Sequence, residues 1–177
     1  ANQVEIHFIN TGNSDSILIK EGDKAVLIDG GENDDENRVL SYLRKENVQE
    51  LKYVVATHPD ADHIGGLDAV INEIKVDYVY VSNGDADTKT YADFVTSMAN
   101  KGLSPRVPLL HSKFNLDKSE FEVLSVANEN EPNNNSIVLE YTNGKDKILF
   151  MGDAGREIEE TLDVSQVDLI KIGHHGS

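Results

Sequence analysis

The chain is 177 residues long, with 38% hydrophobic and 27% charged residues, no cysteine, and a net charge of −16 from 32 acidic and 16 basic residues. That length supports one domain with a sizeable core, and the missing cysteines exclude disulfides, thiolate metal sites and cysteine nucleophiles. The acidic balance, without a Lys/Arg cluster, disfavours tight nucleic-acid binding; no apolar run reaches the length of a membrane span, and nothing in the composition identifies a compartment or a protein partner.

In chain order, Val4–Ile9 alternates as a half-buried strand should, and Thr11–Ser14 reads as a turn. Ser16–Lys20 and Ala25–Ile28 read as a strand pair around the turn Glu21–Lys24, the second ending at Asp29-Gly30-Gly31. Residues 35–46 have helical spacing through Val39, Leu40 and Leu43, and Asp34-Asp35-Glu36 reads as a solvated helix start favoured by the helix dipole. Tyr53–Ala56 is a buried strand that feeds His58-Pro59-Asp60-Ala61-Asp62-His63. A helix is expected over Gly66–Ile74, a strand over Val76–Val81 and a helix over 90–101. Short strands are expected at Arg106–Leu110, Lys113–Leu116 and Phe121–Val126, then a polar loop at Asn128–Asn135. Ile137–Thr142 and Lys147–Met151 form a hairpin, a short helix follows at about 155–162, and Val167–Ile172 is the last strand before Gly173-His174-His175-Gly176-Ser177. Strand-rich stretches alternate with helices without a strict βαβ period, which predicts helices outside two packed sheets.

The chemistry concentrates where strands end in acid or histidine beside glycine: Asp29-Gly30-Gly31, His58–His63, Gly152-Asp153 and Gly173-His174-His175-Gly176. Burying that many ionisable groups unpaired is costly. Neutral imidazole and carboxylate are the ligands that Zn²⁺ or Mn²⁺ takes. A tight loop can aim His58 and Asp60 at one ion and Asp62 and His63 at a neighbour, with Asp153 bridging. Of His174 and His175, one is expected to be a ligand and the other a supporting or proton-transfer group. Asp29 is expected to act from behind the ligands, and Asp15 reads as a turn residue that could also touch the site. Asp62 could alternatively cap the following helix. His7 and His111 stand alone and read as ordinary histidines.

His58-Pro59-Asp60-Ala61-Asp62-His63-Ile64-Gly65-Gly66 resembles the His-x-[His/Asp]-x-Asp-His signature of the metallo-β-lactamase superfamily. Leu27–Gly31, Leu149–Asp153 and Ile170–Ser177 resemble its other motifs in the same order, so the likeness covers nearly the whole chain. Within the superfamily the chain is most similar to the hydrolase domain of ComEC/Rec2-type competence proteins, through Asp60, Asn134–Leu139 and the His-His-Gly-Ser ending. A related likeness is to phosphorylcholine esterases, through His7–Ile9 and Gly12–Asp15.

The resemblance implies an α/β (α+β) fold, a metallo-β-lactamase-like αββα sandwich forming a single domain over residues 1–177, with further strands and helices expected beyond its end. It implies one or two divalent ions, zinc or manganese, and a metal-dependent hydrolase, most plausibly a phosphodiesterase or nuclease, with Asp62 orienting or deprotonating the attacking water. It also implies that Asp29 braces the histidine loop. The substrate is expected to be a phosphodiester, either nucleic acid or a small or surface-attached molecule. The alternatives are a module that binds metal or a partner without turnover, and an ester or lactam hydrolase on the same fold. Asn133-Asn134-Asn135 stands where the superfamily carries a third-motif histidine, so Asn135 is expected beside the site, and the ion nearest His58 and Asp60 is expected to be the weaker one. The first turn reads Gly12-Asn13-Ser14-Asp15-Ser16, where competence domains carry Gly-Gln-Gly-Asp-Ser.

Overall fold

A computed structural model describes residues 4–9, 11, 16–82, 86–126, 136–144, 146–150 and 171–172. Its first sheet has the order β1-β2-β3-β4-β5, with β1 Val4–Phe8, β2 Ile17–Glu21, β3 Lys24–Ile28, β4 Glu50–Ala56 and β5 Lys75–Val81. β1, β2 and β3 run antiparallel, whereas β3, β4 and β5 are parallel. The parallel pairs require crossovers. These are α1 Glu36–Lys45, preceded by a 3-10 turn at Asn33–Asp35, and the pair α2 Ala61–Ile64 and α3 Leu67–Glu73. After β5 comes α4 Lys89–Asn100. The second sheet has the order β10-β9-β8-β7-β6, with β6 Lys113–Asn115, β7 Glu120–Ser125, β8 Val138–Asn143, β9 Asp146–Phe150 and β10 Lys171–Ile172.

The apolar runs of β2, β3 and β4 are unbroken because these strands are covered on both faces. Leu18, Leu27 and Val54 pack against Val39, Leu43, Leu67, Val70, Ile71 and Phe94 of the helices. Ile17, Ile19, Val26, Ile28, Tyr53 and Val55 point the other way, onto Phe114, Phe121, Val123, Leu139, Tyr141 and Phe150 of the second sheet. Each such fully buried side chain contributes about 1.5–3 kcal/mol relative to exposure. Tyr53, Phe114 and Phe121 lie in a row through the sandwich, the first pair tilted and the second stacked, with ring centroids 4.6 and 4.9 Å apart.

Three local expectations need correction. Arg106–Leu110 is no strand: Arg106 makes a single bridge to Tyr80, while Leu109 and Leu110 are exposed. Pro105 and Pro108 lack the N–H groups a ladder needs on either side of that bridge. Asp35 is buried rather than solvated, because its carboxylate accepts the Glu32 N–H at 2.9 Å. Asp62 caps no helix; it lies inside α2, whose N-cap is Asp60, and the N-cap of α3 is Gly66. The expected helix at 155–162 falls outside the described residues. No helix among the described residues is long and apolar enough to cross a membrane.

Candidate functional site

The parallel pairing of β3 and β4 sets Ile28 opposite Val55, so both chains leave the sheet at the same edge, at Asp29 and Thr57. Asp29 is 2% exposed and adopts φ +61°, a left-handed conformation that aspartate tolerates better than most residues. The Ser16 hydroxyl donates to the Asp29 carbonyl at 2.8 Å. The Asp29 carboxylate takes three donors: the Thr57 N–H at 2.8 Å, the Thr57 hydroxyl at 2.5 Å, and His63 Nδ1 at 2.9 Å. An ionised carboxylate only accepts, so Nδ1 of a neutral His63 carries the proton and Nε2 holds the lone pair.

The backbone around this contact is equally close. Gly30 N–H donates to the His63 carbonyl at 2.7 Å, and Gly65 N–H to the Gly31 carbonyl at 2.8 Å. A Cβ on Gly65 would stand 2.2 Å from the Glu32 carbonyl carbon and Asn33 nitrogen; one on Gly66 would stand 2.3 Å from the Gly30 oxygen. The two Gly-Gly pairs thus allow the turn after β3 to press onto the turn carrying His63.

The four ionisable groups of the histidine segment fall into two pairs. His58 is buried, and its Nδ1 lies 3.3 Å from Oδ2 of the exposed Asp60 and accepts the Asp60 N–H at 3.2 Å. His63 is 1% exposed, and its Nε2 lies 3.8 Å from Oδ1 of the half-buried Asp62. The rings of His58 and His63 are 5.6 Å apart. Buried imidazoles and nearby carboxylates are a nitrogen–oxygen donor set that fits a divalent metal, although among the described residues these four do not close into a compact three-ligand group. Beside Asp62 lies an open cleft of about 420 Å³ lined by Glu32, Asn33, Asp34, Ala61 and Asp62.

Asp15, Asn135, Asp153, His174 and His175 lie outside the described residues. The strands that lead to the last three are described. Ile137 N–H donates to the Thr57 carbonyl at 2.8 Å, which joins the start of β8 to the histidine edge. Antiparallel β8 and β9 set Leu139 opposite Phe150, and parallel β10 sets Ile172 beside Phe150. Phe150 precedes Asp153 by three residues and Ile172 precedes His174 by two, so both strands run toward that edge. Thr57, which sequence reasoning did not single out, contributes two of Asp29's three donors. Its signal is a hydroxyl at the end of a buried strand, directly before the first histidine. The His111 side chain is exposed and lies 3.3 Å from Glu122 Oε2.

Comparison with known proteins adds the following. The Metallo-beta-lactamase superfamily profile matches residues 9–177. Recombination protein 2 of Haemophilus influenzae is 25% identical over 182 residues, covering 98% of this chain and 21% of that protein. ComE operon protein 3 of Bacillus subtilis is 25% identical over 148 residues, covering 80% of this chain and 19% of that protein. The chain therefore spans about a fifth of the length of these two relatives. Among solved structures, a HARLDQ motif mutant of a metallo-beta-lactamase from Cronobacter sakazakii superposes with a TM-score of 0.70 at 14% identity, over 94% of this chain and 74% of that one. The metallo-beta-lactamase SMB-1 bound to 2-mercaptoethanesulfonate gives 0.69 at 16% identity, over 97% and 77%. At such identities these two structures speak to fold alone.

Proposed function

The chain belongs to the Metallo-beta-lactamase superfamily, whose fold is that of a metal-dependent hydrolase, and we propose that within it this protein cleaves phosphodiester bonds with water. His58, Asp60, Asp62 and His63, together with Asp153 and one of His174 and His175, hold one or two divalent ions, zinc or manganese. Asp29, Asp15 and Asn135 support the ligands or touch substrate. A bound divalent ion supplies charge stabilisation at the phosphoryl oxygens and lowers the pKa of water. The observation that carries the reading is the buried Asp29–His63 pair, 2.9 Å apart, with Asp62 at its solvent side. Asp29 holds the His63 ring in one tautomer and one orientation. Asp62 is half-buried and open to the cleft, where it can orient the attacking water and accept its proton.

The cleft wall favours a small phosphodiester over a free polyanion, because Glu32, Asp34 and Asp62 line it and the whole chain carries −16. The relative named Recombination protein 2 supports a nucleic-acid substrate, which this surface would accept when a partner holds the strand. The test is hydrolysis of bis-p-nitrophenyl phosphate by the metal-stripped chain, with and without added Zn²⁺ or Mn²⁺. Metal-dependent turnover that falls at least about a hundredfold in Asp62→Ala is expected. Tight metal binding with no turnover would instead support the non-catalytic module, and nitrocefin hydrolysis without phosphodiesterase activity would support a lactam hydrolase.

A further inference from the structure

A second cluster, away from the histidine edge, brings His7 together with two carboxylates. Glu5 and His7 are two residues apart on β1, the edge strand, so their side chains leave the same face of the sheet. On that face lies the end of α1, where Tyr42 and Glu46 are one turn apart. The Tyr42 hydroxyl lies 2.8 Å from His7 Nδ1. Nε2 faces Glu5 Oε1 at 3.5 Å and Glu46 Oε1 at 3.6 Å. The His7 side chain is only 16% exposed, and among the described residues its buried Nε2 has no hydrogen-bond partner. The three ligand atoms all lie within 4.8 Å of one another.

Neither neutral form of His7 suits this setting. A proton on Nε2 would find no acceptor at hydrogen-bonding distance, and a lone pair there would face two negative charges. A cation among the three atoms removes both problems. Two ligands about 2.1 Å from a tetrahedral ion stand roughly 3.4 Å apart, close to the 3.5 and 3.6 Å observed. Tyr42 accepting the Nδ1–H would orient the ring as the outer partners of metal-bound histidines do. We infer that Glu5, His7 and Glu46 form a second divalent-cation site of zinc type, one that clamps the edge strand β1 to the end of α1.

The competing occupant is a proton, giving an imidazolium between two glutamates, and the experiment separates the two. The metal-stripped chain, labelled with ¹⁵N, is titrated with Zn²⁺ while the His7 ring nitrogens are followed by long-range ¹H–¹⁵N correlation, with His7→Gln identifying the signals. Metal content after gel filtration is compared between the wild type and Glu46→Gln. The inference predicts a zinc-dependent shift of Nε2 to the metal-bound range, and one equivalent less zinc in Glu46→Gln. A His7 ring that stays protonated on both nitrogens at saturating zinc, or unchanged zinc content in Glu46→Gln, overturns it. If His7→Gln does not fold, the Glu46→Gln comparison carries the test, since Glu46 lies at a helix end and is partly exposed. Because the readout is specific to His7, it does not depend on whether the histidine edge hydrolyses anything.

Discussion

Two buried carboxylates stand at opposite ends of the first sheet, and each takes three hydrogen-bond donors. Asp29, 2% exposed, ends β3 and accepts from the Thr57 N–H, the Thr57 hydroxyl and His63 Nδ1. Glu21, 1% exposed, ends the antiparallel β2 and accepts from the N–H groups of Asp117, Lys118 and Ser119 in the turn between β6 and β7. The electrostatics are alike: a desolvated carboxylate is tolerable only when donors surround it. The donors differ. Glu21 spends its charge on backbone and fastens one sheet to the other. Asp29 gives one of its oxygens to an imidazole and thereby decides which ring nitrogen is presented. The same device fastens one sheet to the other at one end and orients an imidazole at the other.

The most severe way to break the site end leaves Asp29 in place. Gly65→Ala would put a methyl group 2.2 Å from backbone atoms of Glu32 and Asn33, which no rotamer can relieve. We expect a loss of about 3 kcal/mol or more in urea unfolding, with metal binding lost as the two turns separate. A Gly65→Ala protein of wild-type stability would mean that the turns do not pack as described.

Asp29→Asn separates charge from shape, because asparagine keeps the left-handed backbone. It removes the full charge that three buried donors require, a cost of about 2–3 kcal/mol, and it no longer enforces the His63 tautomer. Zinc affinity should fall roughly 10- to 100-fold, read by competition with a chromophoric chelator. Stability lost with affinity retained would reduce Asp29 to a second Glu21.

The two histidines sharpen the comparison further. His63 gives its Nδ1 proton to a buried carboxylate, whereas His58 Nδ1 accepts an amide from Asp60, whose side chain is exposed. A neutral His58 therefore carries its proton on Nε2, and binding an ion there must displace it. His63→Gln should weaken the tighter zinc about tenfold more than His58→Gln does. Equal losses in the same chelator assay would show that the Asp29 contact confers no advantage.

How much of this could be read beforehand depends on the range of the contact. The strands through Leu18, Leu27 and Val54 were legible because apolar runs survive burial on both faces, and the clustering of His58, Asp60, Asp62, His63 and Asp29 beside glycines anticipated that these residues gather at one edge of the sheet. The four-residue helix α2 was not legible: one turn is too short to show a period. The contact that makes the two histidines unequal spans 34 residues, so no local pattern encodes it, and only the family resemblance implied that Asp29 braces the histidine loop. Arg106–Leu110 misled because its apolar residues fit a strand while Pro105 and Pro108 forbid a continuous ladder. Glu21 looked like an ordinary turn residue, since its amide partners lie nearly a hundred residues away.

Glu21 supplies the mildest test. Burial alone would raise its carboxyl, but Ser119, through its amide and its side chain, and the amides of Lys118 and Asp117 more than offset that and hold it below its ordinary value. A carboxyl lowered in the folded state contributes stability that is complete above the ordinary glutamate value, about 4.3, and is lost as the pH falls through the lower folded-state value. Glu21→Gln should therefore cost about 1–2 kcal/mol at neutral pH, and the gap between variant and wild type should narrow as the solution is acidified below that range. Zinc affinity should not change, because this carboxylate holds the far end of the sandwich and orients no imidazole. A zinc defect in Glu21→Gln would mean that the two ends are mechanically coupled through β2 and β3, and that the division between a fastening carboxylate and a preparing one is too sharp.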